Sequence, residues 1–285
     1  MKKFLIFLLL ICLIIPQFVA CDQNEENPND LPPSEGNEPS EGGEPNAGDK
    51  PSEGGEPSEA LTLRVGTYNI KNGGKGVSYK MSVLAEDIIS CNLDIVGLQE
   101  VDINTTRSGK INGLKLLAEA AGYEYYSFAK AINYQGGQYG TAVLSRYPIS
   151  SFEVTSLAVT DGMEKRSVGH AVIDVNGKSI DFYNTHLSYE DKDVRSSQFT
   201  KLSEMVKNST TFILTADFNT SEDSDFAKFE NSIRVNNKEF MTYSNKSPID
   251  DIILCNKWSV ISKEMKNIGS HSDHNLFWAE IKYEG

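Results

Sequence analysis

From residue 61 to the C-terminus the chain is a series of short apolar runs, each ending in a polar cluster. Runs rich in Val, Ile, Leu, Tyr and Phe occur at 61–70, 94–98, 141–144, 168–175, 179–185, 211–215, 249–254 and 276–281. Segments of that length and composition, bounded by turn and helix signals, read as strands. Residues 80–90 and 113–121 read as helices, and 191–206 as a third. In the first, Met81, Leu84, Ile88 and Ile89 are expected to share one face. Asn176-Gly177 lies between two of the runs and predicts a hairpin. Many strands with few helices imply an α/β (α+β) chain whose two-sheet core is flanked by helices.

The first 60 residues follow other rules. Met1-Lys2-Lys3 and the apolar run from Phe4 to Ile15 have the charged start and short apolar stretch of an export signal over 1–20. The signal ends Phe18-Val19-Ala20-Cys21, a small residue before a cysteine, which resembles a bacterial lipoprotein processing site. That resemblance implies lipidation of Cys21 and an extracytoplasmic, membrane-anchored protein; plain secretion is the alternative. Residues 22–60 lack aliphatic periodicity and repeat Pro-Ser-Glu-Gly-Gly-Glu-Pro at 39–45 and 51–57. Such composition buries too little apolar surface to offset its ordering entropy and is expected to be a flexible acidic linker. The domain then spans 61–285.

Most of the formal charge of −13 resides in that linker, because the segment after it holds 28 acids against 24 bases. A mildly acidic domain lacks the basic footprint of a tight, non-specific duplex binder. Cys91 and Cys255 lie in unrelated contexts with no metal-binding spacing, and read as buried thiols.

The chemistry is concentrated at the ends of the apolar runs. Asn69 ends the first, where alone it would pass for a turn residue. Glu100 follows Asp94-Ile95-Val96-Gly97-Leu98-Gln99 and can anchor a hard cation, which needs only one or two protein carboxylates. His186 ends Asn184-Thr185-His186. Asp217 and Asn219 flank Phe218, and extended-chain alternation would aim both at one point, as an attacking water and a phosphate oxygen require; an Asx turn is the structural alternative. Asp250 and Asp251 sit in an apolar run, so alternation sends one to each face. Asp273-His274 precedes the last run, and an oriented imidazole is what proton transfer requires. Three of the four histidines, His186, His271 and His274, fall in these segments, the last of which runs over 270–275.

The ordered set Asn69, Gln99-Glu100, Asn184-Thr185-His186, Asp217-Phe218-Asn219, Ile249-Asp250 and Ser272-Asp273-His274, with Tyr139-Gly140-Thr141-Ala142-Val143-Leu144-Ser145-Arg146 between, resembles the endonuclease/exonuclease/phosphatase superfamily from about residue 63 to the end. The resemblance implies a four-layered sandwich of two mixed sheets packed face to face between helices. It implies a Mg²⁺ site, with Mn²⁺ as the alternative, at Asn69, Glu100 and Asp273. His186, Asp217, Asn219, Asp250 and His274 would be catalytic, with Asp250 orienting His274. Arg107, Tyr139 and Arg166 fall in matching regions and would meet the substrate. The chain departs from the family pattern at Ala216, where Gly is usual, and at Thr141, where many relatives have Asn.

The implied reaction is metal-dependent hydrolysis of a phosphoester by in-line attack of water, outside the cytoplasm and by a monomer. Membrane attachment favours lipid head groups. Nucleic acid enters only as the substrate of an extracellular nuclease, the alternative enzyme. A non-catalytic surface binding module on the same scaffold is the alternative from another class.

Overall fold

The apolar runs pair into two six-stranded sheets in the computed structural model, which describes residues 61–73 and 77–285. The leader expected over 1–20, Cys21 and the linker to residue 60 lie outside the described residues. The strands are β1 (Thr62–Asn69), β2 (Ile95–Ile103), β3 (Tyr125–Tyr134), β4 (Gly137–Ser145), β5 (Ile149–Ser156), β6 (Ser167–Val175), β7 (Lys178–His186), β8 (Ile213–Asp217), β9 (Ser232–Arg234), β10 (Asp250–Cys255), β11 (Trp258–Lys266) and β12 (Leu276–Tyr283). The helices are α1 (Val77–Cys91), α2 (Gly113–Ala121), α3 (Lys192–Val206) and the single turn α4 (Asp223–Phe226). One sheet runs β11-β12-β1-β2-β4-β3 and the other β5-β6-β7-β8-β10-β9. Both are mixed: β1–β2 and β7–β8 pair parallel, and the remaining pairs are antiparallel.

Alternation along each strand sorts the side chains into layers. On β1, Leu63 and Val65 face the second sheet, packing with Ile95, Phe182, Ile213 and Ile252, while Tyr68 and Ile70 face α1 and α2 with Leu84, Ile88, Leu114 and Leu117. The outer face of the second sheet takes Phe199 of α3, which stacks on Phe218 and meets Phe226 and Phe229 edge-on. Helices, sheet, sheet and helix make the four layers expected. Each fully buried Phe or Leu contributes about 1.5–3 kcal/mol relative to exposure.

Local signals account for the element ends. Asn112 caps α2 by accepting from the Lys115 amide, and Gly122 closes it in the left-handed region at φ 74°. Asn176 and Gly177, at φ 54° and 86°, make the expected tight turn and set Val175 opposite Lys178. On α1, Met81, Leu84 and Ile88 are buried as predicted, but Ile89 is 50 % exposed. One residue beyond Ile88 the helix has turned about 100°, carrying Ile89 past the edge of the stripe. Cys91 and Cys255 are buried free thiols.

Candidate active site

The register of the central strands brings the polar strand ends together. His186 on β7 lies beside Asp217 on β8, and Asp217 lies opposite Asp250 on β10. Across the sandwich, Asn69 pairs with Gln99 at the ends of β1 and β2. The loop before β12 then adds Asp273 and His274. Its Ser272 hydroxyl donates to the Asn69 carbonyl at 2.7 Å, and the Ser244 amide donates to the Asp273 carbonyl at 2.7 Å.

Glu100 arrives there through a backbone irregularity. Gln99 points between the sheets, so regular alternation would send Glu100 toward the helices with Leu98. A bulge between Leu98 and Val101 and a left-handed φ of 56° at Glu100 turn it inward instead. Asn69 Nδ2 bridges the result, donating to Glu100 Oε1 at 3.2 Å and Asp217 Oδ2 at 3.0 Å, while its side-chain oxygen accepts from the Lys71 amide at 3.0 Å.

Asp217 and His274 form the electrostatic centre. Asp217 is 1 % exposed, and its Oδ2 lies 3.4 Å from His186 Nε2 and 3.6 Å from His274 Nε2. Burial, and then the neighbouring charge of Asp250, push its carboxyl up to about 7. Burial opposes a charge on His274, but Asp250, 2.8 Å from Nδ1, together with Asp217 and Asp273 carries the imidazole to about 10. Burial drives His186 well below the ordinary histidine value, helped by the Arg166 cation and by His274. Near neutral pH the site therefore holds a protonated imidazole, a neutral one and a carboxyl able to take or give a proton. Asp217, Asp250 and His274 also present ligand atoms all within 4.8 Å of one another.

Other expected residues are placed differently. Asn219 does not continue the extended chain: φ turns to 52°, its amide donates to Asp217 Oδ1 at 2.9 Å in an Asx turn, and its Nδ2 bonds the Leu187 carbonyl at 2.9 Å. Arg107 is bidentate to the buried Asp102 at 2.7 and 2.8 Å and lies over the Tyr134 and Tyr139 rings. Tyr139 is buried, and burial with the nearby Glu100 and Glu164 charges raises its phenol so that it keeps its proton. Arg166 is 3 % exposed and pairs with Glu164 at 2.9 Å.

Three features escaped the sequence. Lys71 Nζ reaches Asp273 Oδ2 at 2.6 Å and senses Glu100, placing an ammonium beside the carboxylates. Tyr243 tilts against the His274 ring at 4.8 Å. Beneath the site runs a buried polar floor. Gln99 Nε2 donates to Thr67 Oγ1 (3.0 Å) and Asn184 Oδ1 (2.7 Å), Thr215 Oγ1 donates to the same Asn184 oxygen (3.1 Å), and Asn184 Nδ2 reaches the Leu98 and Ala142 carbonyls at 2.8 Å. Gly97 makes room for it, since a Cβ there would fall 2.0 Å from Thr215 Oγ1. Gln99 and Asn184 stand inside the motifs already singled out, and Lys71 stands two residues after Asn69; those positions were the available signal.

Comparison with known proteins agrees with this geometry. The sequence matches the Endonuclease/Exonuclease/phosphatase family over residues 66–274. The curated protein YbhP of Escherichia coli K12, described as uncharacterized, is 28 % identical over 159 residues, which cover 52 % of this chain and 62 % of that protein. The chain thus matches about three fifths of that relative's length. Among solved structures, an endonuclease/exonuclease/phosphatase from Beutenbergia cavernae DSM 12333 superposes with a TM-score of 0.68 at 19 % identity, covering 79 % of this chain and 72 % of that one. A mannosyl-6-phosphatase from Bacteroides thetaiotaomicron VPI-5482 superposes at 0.58 and 19 % identity, covering 77 % and 99 %. At those identities the structural likeness establishes the fold.

Proposed function

From the premise that the chain belongs to the endonuclease/exonuclease/phosphatase family, whose members are usually hydrolases of phosphoester bonds, we propose that it is a divalent-metal-dependent phosphoesterase. The observation that carries the reading is the buried line Asp250, His274, Asp217, ending beside the inward-turned Glu100.

The residues present suit a hard cation. Glu100 is bent into the site by a bulge and spends one oxygen on Asn69, leaving the other for a hard cation, which needs only one or two protein carboxylates. Asn69 Oδ1 and Asp273 Oδ2 are held by Lys71 and would join the donor set only as that residue gives way. In the Asp217, Asp250 and His274 cluster, by contrast, Asp250 Oδ2 and His274 Nδ1 are spent on each other, so that cluster handles protons. A cation held at Glu100 supplies Lewis-acid polarisation of a phosphoryl oxygen.

The chain's own residues account for the other requirements. Asp217, near 7, accepts the proton of the attacking water. Asp250 fixes the ring plane of His274 and keeps it charged, so that Nε2–H faces the oxygens on which negative charge grows. His186, held neutral, offers a ring N–H to a phosphoryl oxygen without adding charge. Asn69 fixes the spacing of Glu100 from Asp217. Asn219 acts by shaping the turn that aims Asp217. Within the same proposal Cys21 carries a lipid that anchors the chain to the cell membrane, outside the cytoplasm.

The test is turnover by the purified chain of a phosphomonoester, a phosphodiester, DNA and a phospholipid, with magnesium or with chelator, beside His274→Ala. Chelator-sensitive hydrolysis that the variant loses is the expected result; a folded protein inert toward all four would discard the reading in favour of a binding module.

A further inference from the structure

Beside His186 a small, partly open cavity is lined by Tyr139, Gly140, Thr141, Arg166 and Ser167. Two of its polar atoms have no hydrogen-bond partner: Arg166 Nε and Thr141 Oγ1, each on a residue 3 % exposed. A buried polar atom left unpaired is costly, and folded proteins rarely leave two in one chamber without something to fill it. Arg166 Nη1 forms an ion pair with Glu164 at 2.9 Å, which leaves Nε available to donate. His186 links the cavity to the site, since its Nε2 lies 3.4 Å from Asp217 and its side chain lines the cavity.

We propose that this cavity receives the additional anionic oxygen of a phosphomonoester, making Arg166 and Thr141 the residues that select monoesters over diesters. The inference rests on the phosphoesterase reading and deepens it by naming the substrate class. A monoester offers three non-bridging oxygens and a diester two. With one oxygen at the Glu100 cation site and one facing His274, the third lies beside His186 and meets a guanidinium N–H and a hydroxyl, both desolvated. A diester would have to place an ester oxygen there with its carbon attached. That oxygen is a weak acceptor without full charge, and the walls leave no room for the carbon. Charge-assisted bonds from arginine favour the doubly charged group for the same reason. In the reaction the bond from phosphorus to the alcohol oxygen breaks, water oxygen bonds to phosphorus, and the alcohol leaves with a proton, so inorganic phosphate is the product and should place one oxygen in the same cavity.

The experiment compares kcat/KM for p-nitrophenyl phosphate and methyl p-nitrophenyl phosphate in the full chain, Thr141→Val and Arg166→Lys, with calorimetric binding of inorganic phosphate in magnesium. The expected result is a wild-type preference for the monoester, a fall in the monoester-to-diester ratio of about tenfold for each variant, and weaker phosphate binding in parallel. Equal loss on both esters with unchanged phosphate affinity would mean a structural role and overturn the proposal, as would a wild-type preference for the diester. Inertness toward both esters would overturn the phosphoesterase reading itself, a result distinct from either.

Discussion

One loop of the chain supplies two histidines, and each meets an aspartate through Nδ1: His274 with Asp250 at 2.8 Å, and His271 with Asp87 at 2.9 Å. The hydrogen bonds are nearly identical, yet the surroundings are opposite. His274 lies between the sheets, 5 % exposed in its side chain, with a second carboxylate, Asp217, 3.6 Å from its free nitrogen. His271 lies over α1, 39 % exposed, and its aspartate is shared with the hydroxyl of the buried Tyr68. An Asp–His pair therefore becomes chemically consequential through what faces the other ring nitrogen and how far water is excluded, not through its own length.

The comparison breaks most sharply at the carboxylate on the far side of His274. Asp217→Asn keeps the shape of the site but removes the proton acceptor, and His274→Ala removes the charged ring. Each is expected to lower kcat about 10³-fold, the scale of a lost acid–base group, with little change in the circular dichroism spectrum. Activity retained within a few fold in Asp217→Asn would place the base elsewhere.

Asp250→Asn sharpens the comparison through pH. In the folded chain His274 sits at about 10, above its ordinary 6.5, so the pair's stabilisation is fully present below 6.5 and is lost as pH rises through 10. Asp217, raised to about 7, adds a penalty that grows from its ordinary 3.8 and is complete once pH has passed 7. Above neutrality the remaining difference belongs to His274. Melting temperatures in chelator should therefore show wild type above Asp250→Asn near pH 7, the gap closing toward pH 10, with kcat down about 10²-fold in the variant. A gap independent of pH would mean that the pair is not charged.

How these positions read in the sequence follows the same division between interior and rim. Strands buried on both faces were plain: the runs ending at Asn69, Leu98, His186 and Asp217 are apolar because each contacts two layers. The strands that were missed, β3, β5, β9 and β11, are the four sheet edges. Their exposure is mixed along their length, as in Ile149–Ser156 and Trp258–Lys266, so no clean alternation was available. Within the site, His186, Asp217 and Asp250 were legible because a titratable side chain at the end of an apolar strand is costly to bury unless partners await it there. The inward turn of Glu100 was not, and at Asn219 the Asx turn named as the alternative is the one that forms. Both depend on left-handed backbone at non-glycine residues, which tertiary contacts impose.

The smallest effect is expected at the second pair. Asp87→Ala removes the partner of His271 and leaves the hydroxyl of Tyr68, which is 0 % exposed, without its acceptor. An unsatisfied buried hydroxyl costs about 1–3 kcal/mol, so denaturant unfolding should report a loss of that size. Catalysis should change by no more than about threefold, because His274 is fixed by other bonds. Ser272 holds the loop to Asn69, Ser244 holds Asp273, and the Asn275 amide donates to the Thr242 carbonyl at 2.7 Å, none of them through Asp87. His271→Gln should be milder still in stability, since the Tyr68 to Asp87 bond survives. If Asp87→Ala instead lowered kcat as far as Asp250→Asn does, the loop would be anchored from the α1 side, and the two pairs would be halves of one positioning device.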